Sequence, residues 1–178
     1  LYLYDSSRPV GSRLTQISAG DASDPTPGEG ANVFSTGTVA TSSDGSHIYF
    51  VAEGVLTTHP NPDGAVATAG ERNLYVYQRD AEYPAGKLAF IGQAASSDSP
   101  ALLFGFGPPL TWTQAVPVFG KDSTSETGDG HTLFFASRAA FTTDDTDGGH
   151  IDVISYDSDT DQLPVSYTQL TLPTTSRE

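Results

Sequence analysis

Two unbroken apolar runs, Ile48 to Ala52 and Leu133 to Ala136, are each entered through an Asp-Gly pair, Asp44-Gly45 and Asp129-Gly130. Asp-Gly supplies the positive φ angles of a tight hairpin turn, so each pair predicts a turn feeding a strand. A strand that is apolar on both faces belongs in a sheet covered on both sides. Downstream of the first run, "NLYVY" alternates Tyr with Leu and Val, as suits a strand in the middle of a small sheet. "KLAFIG" then follows a Gly-containing loop, and "TGTVAT" (Thr36 to Thr41) precedes the Asp-Gly turn. The pattern therefore predicts four antiparallel strands in one unit.

That unit recurs. "SSDGSHIYFVAEGVLTT" returns as "TGDGHTLFFASRAAFTT", with Asp44-Gly45 against Asp129-Gly130 and Thr57-Thr58 against Thr142-Thr143 at one constant spacing. "LYLYD" (Leu1 to Asp5) returns as "NLYVYQRD" (Asn73 to Asp80) and, more weakly, as "DVISYD" (Asp152 to Asp157). Each copy is followed by a short strand-like piece: "RLTQIS", "KLAFIG" and "QLPVS". A four-stranded sheet cannot hide two apolar faces by itself, whereas stacking against copies of itself does so.

The motif Ser-x-Asp-Gly, an aromatic-rich strand, Leu-Tyr-Val-Tyr and Leu-x-x-Ile resembles the TolB-type, WD40-like β-propeller repeat. The resemblance covers residues 1–163. It implies an all-β fold, a partial β-propeller of about two to three four-stranded antiparallel blades in an open arc. Residues 1–18 would form a partial blade, 33–93 a complete one and 112–163 a further partial one. Two insertions, around "ATAGER" and over "SSDSPALLFGFGPPLTWTQAVPVFGKDSTSETG", lengthen the period well beyond that of the family. The function implied is a non-catalytic module for protein or ligand binding, truncated from a longer bacterial protein and located outside the cytoplasm. The alternative is the propeller domain of a larger, prolyl-oligopeptidase-like hydrolase whose catalytic domain lies elsewhere. A third reading is a calcium-binding, adhesin-like sandwich. An open arc leaves apolar faces uncovered, so the isolated chain is expected to be marginal, aggregating or self-associating.

Composition narrows these options. The 178 residues, with 18 Gly and 12 Pro and only 17% charged side chains, favour short strands joined by turns. With 22 acidic and 8 basic residues the net charge is −14, which repels phosphate backbones and argues against nucleic-acid partners. The absence of cysteine removes disulfides, thiolate metal sites and a cysteine nucleophile. No apolar run is long enough to predict a membrane span. The chain opens at Leu1 inside an apolar alternation, which reads as the interior of a fold. Near its end, Val165 to Thr174 resembles the translation of a transposon-based sequencing adapter and departs from it at Gln169. Residues 164–178 are therefore read as a non-native tail.

Candidate chemistry is sparse. Asp157, Asp159 and Asp161 alternate in "YDSDTDQL" and could set oxygens around Ca²⁺, although Gln162 stands where an EF-type loop needs glycine. The competing reading is that Asp, Ser and Thr satisfy backbone donors in turns. No other cofactor is indicated. His47, His59, His131 and His150 lack paired ligand spacing and read as solvent-facing turn residues. No G-x-S-x-G occurs, and "GFGPP" cannot open a dinucleotide-binding helix. Tyr2, Tyr4, Tyr49, Phe50, Tyr75, Tyr77, Phe134 and Phe135 repeat with the strands, so inter-sheet core is favoured over a sugar- or peptide-binding surface. Phe104, Phe106, Leu110 and Trp112 lie off the repeat, in an apolar Pro-rich stretch, and are the candidate partner-binding residues.

Overall fold

Turn-rich, strand-favouring sequence produces an all-β molecule. The computed structural model describes residues 1–27, 31–95, 98, 118–119, 129–143, 145–146 and 149–163, with 34–39 and 118–119 as backbone only. Among them there are nine strands and no helix: β1 (Tyr2–Tyr4), β2 (Leu14–Gln16), β3 (Val33–Thr41), β4 (His47–Ala52), β5 (Asn73–Gln78), β6 (Lys87–Gln93), β7 (Val118–Phe119), β8 (Thr132–Ser137) and β9 (Asp152–Asp157). They form three antiparallel sheets in simple sequence order, β1-β2, β3-β4-β5-β6 and β7-β8-β9. Every connection within a sheet is thus to the neighbouring strand, the cheapest way to pair short strands. Of "QLPVS", Gln162 forms a bridge with Asp157 and Leu163 packs against the core, while Pro164 to Ser166 lie outside the described residues.

The central sheet is covered on both sides, as its apolar strands require. Ile48, Phe50 and Ala52 of β4, with Tyr75, Tyr77 and Phe90, pack toward Leu1, Leu3 and Ile17 of the first sheet. The alternate residues Tyr49, Val51, Leu74, Val76, Ala89 and Ile91 pack toward Leu133, Phe135, Ile154 and Tyr156 of the third. The strand period of two thus sorts one sequence into two separate cores. Phe50 stacks on Tyr75 with ring centroids 5.7 Å apart, and Tyr49 meets Tyr156 edge-on at 6.2 Å. β8 departs from the two-sided expectation. Its Leu133 and Phe135 are buried, but Phe134 on the opposite face is exposed.

Two polar clasps join the central and third sheets. At one end the Tyr49 hydroxyl donates to the Gly130 carbonyl at 2.6 Å, tying β4 to the turn before β8. At the other, buried Asp98 accepts from the Ser137 hydroxyl at 2.5 Å and from the Arg138 and Ala95 amides at 3.0 Å each. The Asp-Gly turns also differ from expectation in detail. Gly45 (φ 73°) and Gly130 (φ 90°) take left-handed backbone, but Asp44 and Asp129 do not. The aspartate side chain instead caps the turn, accepting amide hydrogens two residues on.

Candidate functional site

In a meander, the first and third connections emerge at the same end of the sheet. Because the three sheets stack, these connections converge. The segment after β1 (Asp5 to Arg8), the β3–β4 turn (Asp44 to Ser46), the β5–β6 loop (Arg79 to Pro84) and the turn before β8 (Asp129 to His131) line one open cleft of about 830 Å³. Three sheets therefore build a single concave surface out of repeated turns.

Most of its carboxylates are committed to those turns. Asp5 Oδ1 accepts from the Ser7 amide at 3.0 Å and its hydroxyl at 2.5 Å. Asp44 Oδ1 accepts from the Ser46 amide at 2.9 Å, the Ser46 hydroxyl at 2.7 Å and the Ser42 hydroxyl at 2.8 Å. Asp80 accepts from the amides of Glu82 and Tyr83 at 2.9 Å each and from the Gln78 side chain at 2.7 Å. All three are held below the ordinary carboxylate pKa. For Asp5 the Ser7 hydrogen bonds are the main cause; for Asp44 and Asp80 burial pulls upward, and the donated hydrogen bonds outweigh it. Positive charge comes from Arg8 and Arg79, which approach Asp5 Oδ2 at 3.4 and 3.9 Å. The cleft thus carries fixed charge of both signs.

Beneath it lies a histidine pair. The rings of His47 and His131 stand 4.5 Å apart, centroid to centroid. His47 is buried, contrary to the solvent-facing expectation, because the turn before β8 closes over it. Its Nδ1 shares a 2.8 Å hydrogen bond with Ser46 Oγ, while Nε2 is buried with no hydrogen-bond partner among the described residues. Burial, reinforced by the charge of His131, pushes its pKa down. His131 Nδ1 donates to Asp159 Oδ1 at 2.5 Å. Burial opposes charge there too, but the Asp159 hydrogen bond and carboxylate outweigh it and raise the pKa. His59 and His150 are exposed.

The three aspartates considered for calcium have separate duties. Asp157 Oδ1 caps its turn by accepting the Asp159 and Thr160 amides at 3.0 Å, Asp159 pairs with His131, and Asp161 Oδ1 accepts the Tyr156 hydroxyl at 2.5 Å. Among the described residues, no group of three or more His, Asp or Glu side chains is arranged to hold a metal ion. Phe104, Phe106, Leu110 and Trp112 lie outside the described residues, as does the tail 164–178. Of the repeat aromatics, Tyr49, Phe50, Tyr75, Tyr77 and Phe135 are buried core, and Tyr2, Tyr4 and Phe134 are exposed. The sequence reading missed Arg8, Arg79 and Asp80. The available signal was the aspartate that closes each "LYLYD"-type module. No described helix is long and apolar enough to cross a membrane.

Compared with known proteins, the chain matches no family model, no curated protein and no solved structure.

Proposed function

We propose that the chain is a non-catalytic recognition module of the β-propeller type, and that its ligand contacts lie in the turn-lined cleft. The observation that carries this reading is the convergence of equivalent turns from successive sheets on one concave surface. A propeller stacks four-stranded antiparallel meanders, and the described meanders of two, four and three strands stacked in sequence order support that reading. The chemistry of the cleft supports binding over turnover. Asp5, Asp44 and Asp80 are engaged by turn donors, so they act as fixed charges rather than as proton carriers. The mixture of guanidinium and carboxylate groups suits a peptide segment carrying both charges, with the ligand itself supplying the complementary pattern. An extracytoplasmic location accompanies this reading through the resemblance to TolB-type repeats.

A mixed-charge peptide array probed with the chain tests the proposal. Charge-dependent binding that is lost in Arg79→Glu and kept in a variant outside the cleft, Lys87→Glu, is the expected result. Binding indifferent to Arg79→Glu and to Arg8→Glu would exclude the cleft as the contact surface.

A further inference from the structure

The three sheets repeat more than their sequence. In the central sheet, β5 pairs with β6 so that Tyr75 faces Phe90 and Tyr77 faces Leu88. In the first, β1 pairs with β2 so that Tyr2 faces Gln16 and Tyr4 faces Leu14. The "LYLYD" and "NLYVYQRD" modules therefore align in register as well as in sequence, with Tyr2 and Tyr4 equivalent to Tyr75 and Tyr77. The same holds on the other side. The repeat makes Phe134 equivalent to Tyr49 and Val153 equivalent to Leu74.

Each sheet consequently has a front and a back, and all three point the same way. The front of the central sheet (Tyr75, Tyr77, Phe90) meets the back of the first (Leu1, Leu3, Ile17). The front of the third (Leu133, Phe135, Ile154, Tyr156) meets the back of the central one (Tyr49, Val51, Leu74, Val76). One type of interface, front on back, has been made twice. Among the described residues, what is left over is one front and one back. The front of the first sheet exposes Tyr2 (62%), Tyr4 (58%) and Leu14 (65%), and the back of the third exposes Phe134 (38%) and Val153 (42%), while Ala136 on that back is buried.

We infer that these two faces are a binding pair, and that the occupant of each is a second copy of this chain, stacked head to tail. Each copy carries both halves of an interface that the chain already forms internally, so contact between copies continues the stack with unchanged register. A front-on-back contact joins different surfaces on the two partners and is heterologous. It can therefore propagate into a ring or an open filament rather than stop at a symmetric dimer. The inference rests on the repeated packing of the sheets and not on what binds in the cleft.

Sedimentation analysis of the full chain across micromolar concentrations is the test. The wild-type chain is expected to self-associate. Tyr2→Glu with Tyr4→Glu spoils the front, and Phe134→Glu with Val153→Glu spoils the back. Each variant alone should associate about tenfold or more weakly than wild type, because a charge replaces an apolar contact at the centre of the patch. Mixed in equal amounts, the two variants should form a complex that stops at two chains, since one good front and one good back remain between them. Circular dichroism on each variant checks that the sheets persist. Because the chain lacks cysteine, a second measurement bypasses any folding loss. Tyr2→Cys mixed with Val153→Cys should give a disulfide-linked pair in preference to either self-linked form. A wild-type chain that stays monomeric, or preferential linking of Tyr2→Cys to itself, would overturn the inference. Loss of peptide binding by the cleft would leave it standing.

Discussion

Gly130 is where the packing of the third sheet on the central one can be tested with a single methyl group. The residue has φ 90°, and a Cβ built on it would fall 2.7 Å from Ser42 Cβ and 2.8 Å from His47 Cβ. Gly64 has nearly the same backbone, φ 83°, with nothing within 4 Å of its Cβ position. Gly64→Ala therefore reports the cost of left-handed backbone alone, about 1–2 kcal/mol. Gly130→Ala adds a steric conflict between two rigid turns, about 1–3 kcal/mol more, and also strains the Tyr49 bond to the Gly130 carbonyl. The entropy that alanine removes from the unfolded chain is common to both variants and cancels. Urea unfolding followed by far-UV circular dichroism gives the two midpoints, and the shift for Gly130→Ala should be roughly twice that for Gly64→Ala or more. Equal shifts would mean that the turn before β8 does not sit on the β3–β4 turn, and the stacking of sheets would fall with it.

Three further outcomes follow from the same contacts. Tyr49→Phe removes the hydroxyl that clasps Gly130 and should cost about 1–2 kcal/mol in the same unfolding assay, with no change in strand content. Asp98→Ala orphans the Ser137 hydroxyl and two amides at the opposite end, for about 2–4 kcal/mol; Asp98→Asn should recover part of that loss. The histidine pair should titrate in split order by NMR, His131 above the ordinary value of 6.5 and His47 below it. Their linkage has opposite signs: stability from His131 is complete below 6.5 and fades as pH rises through its raised pKa, whereas His47 costs stability as pH falls below 6.5. His131→Gln should therefore abolish the gain in stability as pH falls toward 6.5, and a reversed order of the two titrations would refute the geometry.

Strand patterns were legible because they are local. The alternation in "NLYVY" and the two-sided run Ile48 to Ala52 each declare their environment within a few residues, and β5 and β4 sit as those patterns require. The cleft was not legible, since Asp5, Asp44, Arg79 and Asp129 become neighbours only when three sheets stack. His47 illustrates the same limit. Nothing beside it in sequence foretells burial, because the cover is Gly130, from the next unit. Phe134 failed in the opposite direction: its run looks two-sided, yet the partner for its outer face is absent from the described intramolecular packing. Even the aspartates were ambiguous by sequence, as capping and metal binding draw on the same residue types.

Synthesis on the ribosome gives the two-sided central sheet a further significance. β3 to β6 emerge after the first sheet and can cover its back at once, but their own back, with Tyr49, Val51, Leu74 and Val76, must wait for β8 and β9. At ordinary elongation rates the roughly forty residues between Gln93 and Thr132 take a few seconds to translate. For that interval the nascent chain holds out a broad apolar ribbon flanked by an edge strand, the surface that holdase chaperones engage and that neighbouring nascent chains can trap. The length of the stretch before β8 then sets a period of vulnerability during synthesis.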